Sequence, residues 1–337
     1  MSTELNNKMT RQSGLSLVEI LVALVISLFL LGGIIQVYMG NKTTFTFTNA
    51  LAEIQENGRF ALDTITQDLR LSGDWGCILF DPTDTDNIND TLSAANVTGY
   101  DVTFHDFVNQ EAIEGTNGTG LNGSDSLIVR GSKPGQANIE SPFTVAADQR
   151  LYTDTINTLS GGDIILVTRC GANDLLIDAE ADILPVTSVV PGTSLPQRLI
   201  NLGANKSQQF ENDATVIELQ TISYSIAAGA SGQPALFRAE FADDQELVEG
   251  IEEMQVLYGI DTNSDGYANQ YVTSDNVPNF QNVVSVRIML LLRSTDDFVT
   301  EQSQTYTFNG VQVTAPDRRI RQVFTTTIAL RNRIGLS

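Results

Sequence analysis

Apolar positions run almost unbroken from Leu15 to Tyr38. As a helix, a segment of about 24 residues at 1.5 Å per residue spans roughly 36 Å, enough to cross the ~30 Å hydrocarbon core of a bilayer. Beyond it the apolar spacing takes a helical period. Leu51, Ile54, Gly58, Leu62, Ile65 and Leu69 recur every three or four positions, and Glu53, Glu56, Arg59, Asp63 and Asp68 are assigned to the other faces. The pattern predicts one helix from about Leu15 to Leu71, loosened near Gly32, Gly33 and Gly40, with Gly73 as its left-handed C′ residue.

After Cys77 the texture changes. Residues 81–90 and 115–125 are rich in Asp, Asn, Gly and Thr and read as loops. Short runs of strand character fall at Ser126 to Arg130, Asp163 to Arg169, Ile183 to Val190, Thr215 to Ile226 and Ala235 to Phe241. Four more fall at Ile251 to Tyr258, Val283 to Arg293, Thr305 to Val313 and Ile320 to Leu330. Ile222, Tyr224 and Ile226 alternate with Thr221, Ser223 and Ser225, and Val284 through Leu292 alternate similarly, which marks sheet strands with two different faces. The fold class expected is α+β: a long N-terminal helix against a largely antiparallel β-sheet head, with a second β-rich lobe between about Tyr100 and Asn205.

Within the apolar run one residue is out of place. Glu19 is a carboxylate in a membrane-spanning segment, where an uncompensated charge costs about 3 kcal/mol or more. A free α-amino group would neutralise it, and cleavage after Gly14 would supply one by making Leu15 a new N-terminus in this or a neighbouring chain. No small-x-small signal-peptidase site closes the apolar run, so the span is expected to be retained. Lys8 and Arg11 precede it and Lys42 follows, which orients the leader to the cytoplasm and the bulk of the chain outside.

Composition narrows the chemistry. The 337 residues carry 19 Lys and Arg against 41 Asp and Glu, a net charge of −22, so direct nucleic-acid binding is not expected. Cys77 and Cys170 form no C-x-x-C pair and are either one disulfide or two inert thiols; export into an oxidising space favours the disulfide. Closing so long a loop would stabilise the fold by about 4 to 5 kcal/mol in the chain-entropy model.

Residues 261–269 offer oxygens at Asp261, Asn263, Asp265, Tyr267 and Asn269 with EF-hand-like spacing, but Val272 stands where the bidentate glutamate belongs. Two readings stay open: an Asp-Gly turn between strands, or an incomplete calcium site. His105, the single histidine, precedes Asp106 without a Gly-x-Ser-x-Gly elbow, and no phosphate-binding glycine loop stands between a strand and a helix, so no catalytic residues are expected. Arg318, Arg319, Arg321, Arg331 and Arg333 crowd the C terminus, either as the solvated face of a strand or as contacts to acidic neighbours.

The run Gly14-Leu15-Ser16-Leu17-Val18-Glu19-Ile20 and the apolar residues after it resemble the type IV prepilin signature. That resemblance implies cleavage after Gly14 by prepilin peptidase, N-methylation of Leu15 (the family more often has Phe), and an assembly role for Glu19. Initiation at Met9 would leave a six-residue leader, closer to the family's usual length than fourteen. The segments from Glu249 to Asp261, Val283 to Ser294 and Arg318 to Arg333 resemble the PilW group of minor pilins. The layout implied is a leader at 1–14, a transmembrane helix at 15–38, its amphipathic continuation at 39–73 and a periplasmic head at 74–337. The resemblance further implies a single-pass inner-membrane protein drawn into a surface pilus (fimbrium), with other minor pilins, the major pilin and the inner-membrane assembly platform as partners. Adhesion, twitching motility and DNA uptake are the processes expected to depend on it. A type II secretion pseudopilin shares the signature, and a membrane-anchored periplasmic enzyme or ligand-binding domain is the third reading.

Overall fold

A computed structural model describes residues 16–76, 88–105, 107–108, 111–154, 159–169, 180–191, 197–241 and 243–333. Helix α1 spans Leu17–Arg70 and α2 is a single turn at Val102–His105. The strands are β1 Ile88–Asp90, β2 Ile113–Thr116, β3 Ser126–Asn138, β4 Arg150–Thr153, β5 Ile164–Arg169, β6 Glu180–Pro191, β7 Arg198–Leu202 and β8 Ala214–Ala228. They continue with β9 Pro234–Glu240, β10 Asp243–Glu249, β11 Ile251–Ile260, β12 Gln270–Val272, β13 Val283–Arg293, β14 Thr305–Phe308, β15 Val311–Thr314 and β16 Arg321–Ala329.

The long strand β8 organises the larger sheet. One of its edges pairs with β3; the other pairs with β5 over its first half and with β9 over its second. From β5 the sheet continues through β6 and β7 to β4, and from β9 to β10. The sheet is antiparallel except for β1 beside β6. Gly250, at φ 87°, then turns the chain directly from β10 into β11. There a second, wholly antiparallel sheet in the order β12-β11-β13-β16 begins.

One core lies between the two sheets and the second half of α1. Ile54, Ala61, Ile65 and Leu69 of the helix meet Tyr224, Ile226 and Leu236 of the larger sheet and Val256, Ile288 and Leu290 of the smaller one. Each large apolar side chain buried there contributes about 2 kcal/mol. The strands around β5, β6 and β7 close over cores of their own, one on each face.

The predicted stripe on α1 is present but rotated. Ala50, Ala61 and Asp68 lie in its centre, while Leu51 and Leu62 sit at its flank, half-buried. Small residues at the centre let the helix come close to the sheets: a Cβ on Gly58 would fall 2.6 Å from the Phe324 ring. The helix runs unbroken through Gly32, Gly33 and Gly40. Its end differs from the expected cap. Leu71 closes the helix, and Gly73, left-handed at φ 68°, donates its N–H to the Arg130 carbonyl, tying the helix end to β3.

Several strands escaped the sequence patterns. The stretch from Thr305 to Val313, expected as one strand, is the hairpin β14–β15, turning at Asn309 and Gly310 with φ 46° and 75°. Asn-Gly is the pair that two left-handed turn positions demand, so the signal was present. β1 and β2 lie within or beside segments that read as loops, and the acidic β10 exists because it pairs along β9.

Candidate functional site

The assembly site implied by the sequence begins at the start of α1. Ser16 is the N-cap, in extended backbone, and its hydroxyl accepts the Glu19 N–H at 3.2 Å. Ser-x-x-Glu is the capping-box pattern, which the sequence reading missed, and a carboxylate in the first turn also suits the positive end of the helix dipole. The bond uses the Glu19 backbone N–H, so the cap itself leaves the carboxylate available to a partner beyond the chain. Gly14 and Leu15 lie outside the described residues.

From Leu17 to Met39 the helix buries none of its apolar surface; Leu17 is 74% exposed and Phe29 80%. It is long and apolar enough to cross a membrane. Nothing lies within 4 Å of where side chains on Gly32, Gly33 and Gly40 would begin, so the backbone there is open to close approach by another helix.

Where α1 meets the head, the anchor is polar. Asp68, expected on an outward face, is buried, and its carboxylate accepts from the Tyr224 hydroxyl and, at 2.9 Å, from Arg238 Nε. Burial, reinforced by the neighbouring carboxylate, raises the Tyr224 pKa far above the ordinary phenol value, so that group stays a donor. Burial works to lower the Arg238 pKa, but its hydrogen bond and charge pairing with Asp68 outweigh that and hold the guanidinium charged. No periodicity argument distinguishes such an aspartate from a solvated one, because its partners come from strands more than 150 residues away.

The C-terminal arginines split in a way neither reading anticipated. Arg321 is buried in the head, with Nε 2.7 Å from Glu252 and Nη1 2.6 Å from Asp317. Burial opposes its charge, and the two carboxylates more than restore it; the Asp317 carboxyl, hydrogen-bonded to Arg321, is in turn held below the usual range. Arg319 donates to the carbonyls of Ser294 and Thr295, and Arg318 stacks 4.1 Å over Phe298. Arg331 is exposed. The described part of this cluster chiefly fastens the loops around β16.

The Asp261 loop joins β11 to β12. Asp261 Oδ2 accepts the Gly266 N–H at 2.6 Å and Oδ1 accepts those of Asn263 and Asp265, while Asn269 Oδ1 accepts from Thr262. Although partial desolvation pushes the other way, these backbone donors hold the Asp261 carboxyl below its ordinary pKa. The carboxylate is thus engaged as a turn-former. Asp265 is tied to the Asn263 amide and the Tyr267 N–H, and the Tyr267 side chain is exposed. Among the described residues no group of three or more His, Cys, Asp or Glu is arranged to hold a metal ion.

His105 is buried, stacked between Tyr100 and Phe241, with Nδ1 turned to the Asp101 backbone. Cys77 and Cys170 lie outside the described residues. The disulfide expected from export into an oxidising space would make both thiols resist alkylation in the denatured, unreduced protein. Labelling of both without reductant would refute the pairing.

Comparison with known proteins bears on the two ends of the chain. Residues 9–35 match the family model of the prokaryotic N-terminal methylation motif, and residues 223–332 match that of type IV pilus-assembly protein W. No curated protein and no solved structure matches the chain. The second match begins within β8 and takes in β9, β10 and the whole sheet that packs on α1, which is the part of the head that carries the anchor. With a methylation motif on the exposed half of the helix and a pilus-assembly match over the sheet that holds the other half, the two matches support a type IV minor pilin of the PilW group, anchored by its helix and involved in pilus assembly.

Proposed function

We propose that the chain is a structural subunit that helps start or cap a type IV pilus. Its helix waits in the inner membrane, with the head in the periplasm, and then moves into the filament. The observation that carries this reading is the division of α1: its second half spends its apolar stripe on the head, while its first half spends none. Cleavage after Gly14 by prepilin peptidase would free the Leu15 amine, and Glu19 of an adjacent subunit would neutralise it when the helices bundle. Other minor pilins, the major pilin and the assembly platform are the partners this requires. Adhesion, motility and DNA uptake would follow as consequences of having pili.

Deletion of the gene tests the proposal. Surface pili counted by electron microscopy are expected to disappear or fall severalfold, with secreted enzyme activities unchanged. The opposite pattern, normal pili with lost secretion, would identify a type II secretion pseudopilin.

A further inference from the structure

β16 is the outer strand of the small sheet, and the described residues leave most of its outer edge unpaired. The Leu330 N–H bonds to the Val284 carbonyl and the Ser294 N–H to the Ile320 carbonyl. Even-numbered residues therefore form the ladder between β13 and β16, in the register Val286↔Ile328 through Leu292↔Gln322. Odd-numbered residues point their N–H and C=O groups outward. The first outward pair is closed by a side chain imitating a strand: Gln304 Oε1 accepts the Arg321 N–H at 2.7 Å and its Nε2 donates to the Arg321 carbonyl at 2.9 Å. Among the described residues nothing pairs with the outward groups of Val323, Thr325 and Thr327.

The other edges are managed. β10 carries Asp243, Asp244, Glu246 and Glu249; β3 is interrupted by Pro134 and Gly135; β1, β2, β4 and β12 are three or four residues long. β16 has nine residues, is rich in β-branched side chains, and carries neither proline nor lysine. Natural sheets seldom leave such an edge open unless something pairs with it. Phe324, lying over Gly58 on the helix side of the sheet, is also only half-buried where the sheet stops.

We infer that the outer edge of β16 from Val323 to Thr327 accepts an extended strand from a different pilin subunit, extending the small sheet across the subunit boundary. This rests on the pilus-subunit reading above. The direction of the strand argues against an antiparallel pair with a second copy as occupant. Gly58 lies against Phe324, and Asn332 bonds to the Ser72 carbonyl, so β16 advances in the same direction as α1. Antiparallel pairing of two β16 edges would set the two helices in opposite directions, and both could not enter one membrane from the same side.

Thr325→Pro in the full-length chain removes one outward N–H and no ladder hydrogen bond, whereas Thr325→Val keeps that donor. Thr325→Pro is expected to reach wild-type membrane levels and melting temperature, yet to lose at least tenfold of the pilin subunits that co-purify in mild detergent; Thr325→Val should retain them. A photocrosslinker at Thr327 in piliated cells provides a second readout, with the expected adduct being another chain bearing a prepilin-type N-terminus. Undiminished co-purification with Thr325→Pro, or an adduct to the same chain or a second copy of it, would overturn the inference. Those results leave the pilin reading intact if deletion still abolishes pili; normal pili in the deletion strain would instead remove the reading itself.

Discussion

Full-length protein carrying Glu19→Ala is expected to accumulate in the membrane at the wild-type level and to be missing from sheared pili. On insertion scales, loss of one carboxylate from so apolar a span favours the membrane state by roughly 3 kcal/mol, so anchoring does not suffer. In a bundle of helices removed from water, an α-ammonium left without its carboxylate is an unpaired buried charge, at a cost of several kcal/mol. Because Ser16 and Glu19 have capping-box spacing, the alanine variant alone would not separate a capping contribution of the side chain from its charge. Glu19→Gln separates them. Glutamine serves a capping box nearly as well as glutamate, at a difference of about 1 kcal/mol or less, but cannot neutralise an amine. Both variants should therefore fail to enter pili, with peptide mass confirming the same mature start at Leu15. If Glu19→Gln assembles while Glu19→Ala does not, the residue acts as a cap and the charge pairing is wrong; if both assemble, neither role governs entry.

Asp68→Ala should be the most destabilising single change at the junction of helix and head. It would leave the buried Tyr224 hydroxyl and the largely buried Arg238 guanidinium facing a site with no acceptor. Removing one partner of a buried ion pair typically costs 3 to 5 kcal/mol. Arg238 is 23% exposed and has a second carboxylate, Glu240, at 3.8 Å, so about 3 kcal/mol is the reasoned value. Tyr224→Phe removes one hydrogen bond and leaves the ion pair, for about 1 kcal/mol. Denaturant unfolding of the full-length protein in detergent would measure both. A loss below about 1 kcal/mol for Asp68→Ala would mean that apolar packing alone holds the helix to the head. The double change Asp68→Ala with Arg238→Met should recover part of the loss, because it leaves no unpaired charge behind.

Sequence alone determined the features that depend on short-range periodicity and local chemistry. The span, the continuation of the helix to the neighbourhood of Leu71, the alternating core strands β8 and β13, and the prepilin-like start are each encoded within a few dozen consecutive residues. Hydropathy, helical spacing and pleat alternation act on that scale. Ser16 with Glu19, and Asn309 with Gly310, belonged to the same legible class and were simply not recognised. Tertiary structure decided what depends on residues far apart. Asp68 is indistinguishable in sequence from the solvated Asp63 until Tyr224 and Arg238 arrive from β8 and β9. Arg321 reads as a surface charge until Glu252 and Asp317 enclose it. The acidic β10 becomes a strand because β9 offers it an edge, and β16 ends its sheet because no further strand of the described chain reaches it. A charged or polar side chain can be buried only where distant partners offset its desolvation, and a strand exists only beside another, so neither outcome can be read from one stretch of chain.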